Sequence, residues 1–401
     1  MVPKGWSVQC VGNLFDVQLG KMLNQEAKEK FPQYKYLGNS NVKWGCFDFS
    51  DLKMMHFSQK DISKFSLEVD DILMCEGGEV GRCTIWEGSE ETIFYQKALH
   101  RLRSNGKIIP KFFQFYMEKI AGTKLLDDYS TKTSIAHLTQ EKLVTLPVRL
   151  PPLTEQKKIA KILSTWDKAI STAGELLANS QLQKKSLMQQ LLTGKKRLLA
   201  EGGRRFKGEW KPLCLSKIAV VVMGSSPKSE AYNEIGNGLP LIQGNADIKN
   251  KLSEPRVYTS EITKECEPND ILLSVRAPVG AVALSRHKAC IGRGITAIRA
   301  NKNYNQSFIY QWLLWFEPQW VSLAQGSTFE SVNSDDIKSL KVLIPEYEEQ
   351  QKIADALSKH DQEISTLQQQ LAAFKNEKTA LMQQLLTGRR RVRVEKNISK
   401  G

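Results

Sequence analysis

Leu187-Met188-Gln189-Gln190-Leu191-Leu192-Thr193-Gly194 stands again, unchanged, at Leu381 to Gly388. The same offset of 194 carries Glu155-Gln156-Lys157-Lys158-Ile159-Ala160 onto Glu349-Gln350-Gln351-Lys352-Ile353-Ala354, and 155–194 matches 349–388 at 22 of 40 gapless positions. An internal repeat reveals architecture before any propensity does. Upstream the frame drifts. Gly5-Trp6, Cys10 and Gly20 align with Glu209-Trp210, Cys214 and Gly224 at an offset of 204, and Asp71-Ile72-Leu73 aligns with Asp270-Ile271-Leu272 at 199. Each half is therefore a variable region followed by a nearly constant segment.

The constant segments read as long helices. Ile353, Leu357, His360, Ile364, Leu367, Leu371, Phe374, Lys378, Leu381 and Leu385 alternate spacings of four and three, the seam of a coiled coil. The first copy repeats the stripe as Ile159, Leu163, Trp166, Ile170, Ala173, Leu177, Ser180, Lys184, Leu187 and Leu191. Thr154 is the expected cap, Glu155 suits the first turn, and Gly194 and Gly388 suit left-handed helix ends. A helix of about 38 residues is about 57 Å long, too long to bury its stripe on one small domain. The economical solution pairs the two copies antiparallel; two separate surface helices are the alternative. Lys184 and Lys378 interrupt the seam, which opens there, receives a partner, or uses them as a register device.

The variable regions carry short apolar runs bounded by Gly, Asn and Pro, which read as strands, with helical stretches near Phe112 to Lys119 and Ser307 to Phe316. Glycine-rich loops with cations lie between them, at 76–82, 274–280 and 292–294. Such loops admit close approach to a nucleic acid backbone, and Arg can bond two acceptors of guanine; the bland reading is a hairpin turn. The candidate DNA contacts are Asn39, Asn41, Arg82, Lys97, Lys132 and Thr133 in the first region, and Gln243, Asn245, Arg276, Arg293, Ser327 and Thr328 in the second. The basic runs Lys195-Lys196-Arg197, Arg204-Arg205 and Arg389-Arg390-Arg391 either meet phosphates or complement helix ends.

A formal net charge of +14 over 401 residues makes a polyanion the leading partner. Seven cysteines without a C-x-x-C pair read as free thiols, and zinc is not expected. The five histidines are scattered, and no phosphate loop, H-E-x-x-H or nucleophile elbow occurs, so no catalytic or metal residue is assigned. Neither a signal peptide nor a membrane span is expected, which points to the cytoplasm.

The order of variable region, repeated helix, variable region, repeated helix resembles the specificity subunit of type I restriction-modification enzymes. The resemblance is carried by the paired Glu-Gln…Ile-Ala segments, the duplicated Leu-Met-Gln-Gln-Leu-Leu-Thr-Gly, the starts Val2-Pro3-Lys4-Gly5-Trp6 and Phe206-Lys207-Gly208-Glu209-Trp210, and the run Gly326 to Val332. It implies an α/β (α+β) fold with a pseudo-twofold internal repeat, in which two globular target-recognition domains are separated by two long antiparallel helices in a coiled coil. The expected boundaries are 1–150 and 198–344 for the recognition domains, 151–197 and 345–391 for the spacers, and 392–401 for a flexible tail. Each domain would read one half of a split site in double-stranded DNA. The helices would set the gap and dock two modification subunits, which use S-adenosylmethionine, and restriction subunits would add ATP and Mg chemistry; this chain itself would hold no cofactor. Lys132-Thr133-Ser134-Ile135 departs from the Gly-Ser-Thr-Phe form of the second half. A specificity partner of a fused type IIB/IIG restriction-methyltransferase and a coiled-coil scaffold unrelated to DNA are the alternatives.

Overall fold

The computed structural model describes residues 2–130, 136–320 and 331–393. The chain forms two compact units, one from Met1–Ala173 with Gln370–Gly401 and the other from Gly174–Gln369.

In the first unit the strands are β1 (Ser7–Cys10), β2 (Phe15–Leu19), β3 (Gln33–Leu37), β4 (Lys53–His56), β5 (Ile72–Cys75), β6 (Cys83–Ile85), β7 (Phe94–Tyr95), β8 (Leu99–Ser104) and β9 (Pro147–Leu150), and helix α1 (Pro110–Ile120) shares a core with β2, β5, β6 and β8. An antiparallel sheet runs β2-β8-β5-β6, a second runs β4-β3-β7 with β3 and β7 parallel, and β1 pairs with β9. All four residues of β5, Ile-Leu-Met-Cys, are buried, because both faces of this inner strand meet a core.

The second unit repeats the plan with β10 (Lys211–Cys214), β11 (Ala219–Met223), β12 (Leu239–Ile242), β13 (Val257–Thr259), β14 (Ile271–Ser274), β15 (Val282–Leu284), β16 (Ala289–Ile291), β17 (Ile295–Ala300) and β18 (Lys341–Ile344). One sheet contains the order β11-β17-β14-β15, another the order β13-β12-β16 with β12 and β16 parallel, and β10 pairs with β18. The aligned aspartates do the same work in both units. Asp71 takes two bonds from Arg103 (2.8 and 2.7 Å), and Asp270 takes two from Arg299 (both 2.6 Å).

The repeated segments are single helices of 39 residues, α2 (Leu153–Leu191) and α4 (Tyr347–Leu385); the shorter α3 (Gln306–Phe316) of the second unit corresponds to α1. In the first unit the start of α2 (Ile159, Ala160, Leu163) shares one core with the end of α4 (Met382, Leu385) and with Leu386. In the second unit the end of α2 (Met188, Leu191) and Leu192 meet the start of α4 (Ile353, Ala354, Leu357). Within each unit the helices thus pack antiparallel, and all twenty seam positions are buried or half-buried.

Three expectations change. Thr154 is not a cap, because α2 already starts at Leu153 and Pro152 accepts from the amides of Glu155 and Gln156. The seam does not open at its lysines. Lys184, 11% exposed, meets Asp361 at 2.5 Å, and Lys378, 12% exposed, meets Asp167 at 2.7 Å and Glu118 at 2.8 Å. The basic runs are also not uniform. Arg197 and Arg391 bind buried carboxylates, although the Arg391 side chain stays 44% exposed, whereas Lys195, Lys196, Arg204, Arg205, Arg389 and Arg390 are exposed and bind neither of these carboxylates. Gly194 and Gly388 do take the left-handed conformation, at φ 71° and 70°.

Candidate nucleic-acid interface

The repeated Glu-Gln pair is a fastening. Glu155 accepts from the Trp6 indole (3.1 Å) and from Arg391 Nε and Nη2 (2.7 and 2.8 Å). Glu349 accepts from Trp210 (3.1 Å) and Arg197 (2.9 and 2.6 Å). Gln156 accepts from the Ile109 amide and donates to Pro151, while Gln350 accepts from the Asn305 amide and donates to Pro345 (2.8–2.9 Å). The first turn of each long helix thereby holds the edge of a globular body, and the basic runs 195–197 and 389–391 each contribute one arginine to that hold.

At the other end of each body, strand-to-strand connections converge on one rim. In the first unit the Gln96 amide donates to Leu37, Lys97 to Lys21, Glu76 to Ala98, and Leu138 to Glu76. In the second the Gly292 amide donates to Ile242, Ser225 to Ile291, Val275 to Gly294, and Val332 to Val275. The crossing is tight enough to demand glycine. A Cβ on Gly20 would lie 2.4 Å from the Gln96 carbonyl, and one on Gly224 2.2 Å from that of Gly292.

These two rims gather the candidates. In the second unit Gln243, Asn245, Arg276 and Arg293 all lie on the rim loops. The Gln243 amide donates to Asp247, which also holds Arg256, and the Arg293 amide donates to Ser226. Arg276 and Arg293 are exposed, and no carboxylate among the described residues pairs with either. In the first unit Lys97 is the exposed cation in the position of Arg293. Asn39 donates to Gly77 (2.9 Å), and Arg82, its side chain 18% exposed, donates to the backbone and side-chain oxygens of Asn39 and to Glu79 (3.0, 3.2 and 3.0 Å).

Asn41 does not face solvent. It is 5% exposed, accepts from the Gly38 amide and donates to the carbonyls of Asp48 and Asp51. Its amide shapes the turn rather than presenting a group to a ligand. Lys132, Thr133, Ser327 and Thr328 lie outside the described residues. The chain next to them does join the rims, since Gly77 bridges His137 and Arg276 bridges Ser331.

Sequence reasoning missed Trp44 and Glu79. The Trp44 indole donates to Glu79 at 2.5 Å. The nearest repeated signal marks the turn and neither of these two residues: Gly38-Asn39-Ser40-Asn41 shares its Gly and Asn with Gly244-Asn245-Ala246-Asp247 at an offset of 206. Asn41 and Asp247 each accept a backbone amide of their turn, so the repeated tetrapeptide marks the same rim twice. His100 is fully buried, bonds the Leu138 carbonyl (2.8 Å), and burial pushes its pKa down. No described helix is long and apolar enough to cross a membrane, and no group of His, Cys, Asp or Glu among the described residues could hold a metal ion.

Residues 3–179 and 207–375 match the family model described as type I restriction modification DNA specificity domain. The putative type I restriction enzyme MjaX specificity subunit of Methanocaldococcus jannaschii is 31% identical over 98% of this chain and 95% of its own. The MjaVIII specificity subunit of the same organism is 23% identical, over 98% and 94%. Among solved structures, the type I restriction-modification S subunit from M. genitalium aligns with a TM-score of 0.64 at 17% identity, over 96% of both chains. A structure from a study of type I R-M complex assembly and conformational transition aligns with a TM-score of 0.59 at 21%, over 96% of this chain and 98% of that one. At these identities the solved structures establish a common fold.

Proposed function

The chain belongs to the type I restriction modification DNA specificity domain family, and from that premise we propose that each of its units reads one half of a split DNA site through its rim. The observation that carries this reading is the duplicated rim itself. Two glycine-crossed junctions present Lys97 in one unit and Arg276 and Arg293 in the other as exposed cations with no carboxylate partner among the described residues. Such groups suit phosphates and the acceptor edge of guanine. The relatives are described as type I specificity subunits, which favours this reading over a fused-enzyme partner or a scaffold.

The chemistry belongs to partners. Modification subunits would supply S-adenosylmethionine-dependent methylation of adenine, restriction subunits would supply ATP and Mg chemistry, and this chain would be non-catalytic. Helices α2 and α4, each spanning both units in sequence, would set the unread gap and offer the docking surface. Mapping methylated adenines in a host that expresses the full system tests the proposal. A bipartite consensus is expected, and exchanging 198–344 for the corresponding residues of a relative should alter one half of it. A continuous consensus, or a change in both halves, would overturn it.

A further inference from the structure

The rim of the first unit holds a carboxylate where a DNA-facing surface would ordinarily avoid one, since a free anion repels phosphates. Glu79 is 52% exposed on its side chain, yet it is fixed on two sides. One oxygen accepts from the Trp44 indole (2.5 Å) and the other from Arg82 Nη1 (3.0 Å). Arg82 is itself tied through Nη2 to both oxygens of Asn39, and Asn39 donates to Gly77. Three loops therefore converge to orient one acid. An ionised carboxylate has about four acceptor positions; two are taken from the protein side, which leaves acceptor capacity on the exposed edge.

We propose that Glu79 is a base-reading residue of the first unit, accepting a hydrogen bond from the N4 amino group of a cytosine in the major groove. This rests on the function proposed above and deepens it. Among the bases, cytosine presents an amino donor beside no strong major-groove acceptor of its own, which is the complement of a carboxylate. Arg82 and Trp44 act as positioning residues, since they reach the base only through Glu79.

The second unit lacks this device at the aligned loop. With Asp71 on Asp270 and Gly81 on Gly280, Glu79 falls on Pro278, Arg82 on Ala281, and Gly77 on Arg276. One unit thus offers an oriented acceptor and the other an arginine donor at matching rims. The chemistry makes the two half-sites unlike each other.

The test is methylation mapping of the full system with Glu79→Gln, with Glu79→Ala, and with Glu79→Asp, which keeps the charge one methylene shorter. The half-site of the first unit is identified by exchange of 198–344. Glu79→Gln and Glu79→Ala are expected to lose discrimination at one C·G pair of that half-site, by about tenfold or more, with the other half unaltered. Glu79→Asp should retain the cytosine preference at reduced efficiency. An unchanged consensus in all three variants, a loss at an A·T pair, or a loss in the other half-site would overturn the assignment. Early melting of Glu79→Gln with an intact cytosine preference in the protein that remains folded would also overturn it, leaving Glu79 as a loop brace. Absence of any bipartite consensus in the unaltered system would instead sink the underlying function.

Discussion

Glu155 and Glu349 begin the two constant segments, and their duplication was visible in the sequence, but its reason was not. Their partners lie far along the chain: Trp6 and Arg391 for one, Trp210 and Arg197 for the other. A helix-dipole reading explains an acid in a first turn; it does not explain one that is buried under three donors. Glu349→Ala would leave Arg197 and Trp210 without their acceptor. Because Arg197 keeps some solvent access, we expect a loss of about 2–4 kcal/mol by denaturant melts, with Glu349→Gln costing less. His100 permits a pH prediction. Burial lowers its pKa from 6.5, while the Leu138 carbonyl, which accepts from Nε2–H, and then the charge of Glu76 oppose that shift. The folded state favours the neutral ring, so its contribution is complete above about pH 6.5 and declines as the pH falls through the folded value. Thermal melts of the first unit should show a smaller loss between pH 7 and 5 in His100→Gln than in the unaltered chain. At the rim, Arg276→Ala should relax one guanine of the second unit's half-site by about 1–3 kcal/mol, read by methylation mapping; an unaltered consensus would remove Arg276 from base reading.

The helices were the most legible elements, because twenty seam positions at spacings of three and four encode a face without reference to anything distant. What periodicity could not encode was the pairing of seam polar groups. Lys184 and Lys378 look like defects in a stripe, yet 184 pairs with 361 and 378 with 167, and Asp167 and Asp361 are themselves related by the offset of 194. Burial works against the charge on Lys378, but its bonds to Asp167 and Glu118 raise its pKa overall, and its ammonium also lies 5.2 Å from the Phe115 ring centroid. The pairs should behave asymmetrically. Lys184→Leu leaves Asp361 with the Gln311 amide at 2.7 Å, whereas Asp361→Leu leaves a lysine buried alone. Asp361→Leu should therefore be the more destabilising by about 1–3 kcal/mol, with Lys184→Leu/Asp361→Leu close to neutral. Equal costs for the two single variants would mean that the pair is solvated and does not define the seam. The strands were harder to read. Runs of three or four residues such as β6 and β15 carry too little pattern to separate them from loops, and their sheet order is set by pairings across tens of residues.

Across the whole chain, the surplus of 57 Lys and Arg over 43 Asp and Glu says little alone, because several cations are consumed internally: Arg103 and Arg299 on aspartates, Arg197 and Arg391 on glutamates, Lys184 and Lys378 in the seam. The charge left for DNA is the exposed, unpaired part, and it differs between the rims. Lys97 suits a phosphate as a point charge, while Arg276 and Arg293 suit bidentate base or phosphate contacts. Salt titrations separate the two roles. A phosphate contact reduces the slope of log affinity against log salt by about one on removal and weakens all sequences alike. For the assembled complex on duplex DNA, Lys97→Ala should therefore lower the slope and weaken cognate and non-cognate binding equally. Arg276→Ala should weaken cognate binding chiefly, leaving the non-cognate affinity and its slope nearly unchanged. If Lys97→Ala instead alters the consensus, Lys97 reads a base rather than a phosphate; if neither variant changes binding at low salt, the rims are not the surface that meets the duplex, and the reading surface has to be sought elsewhere on the two units.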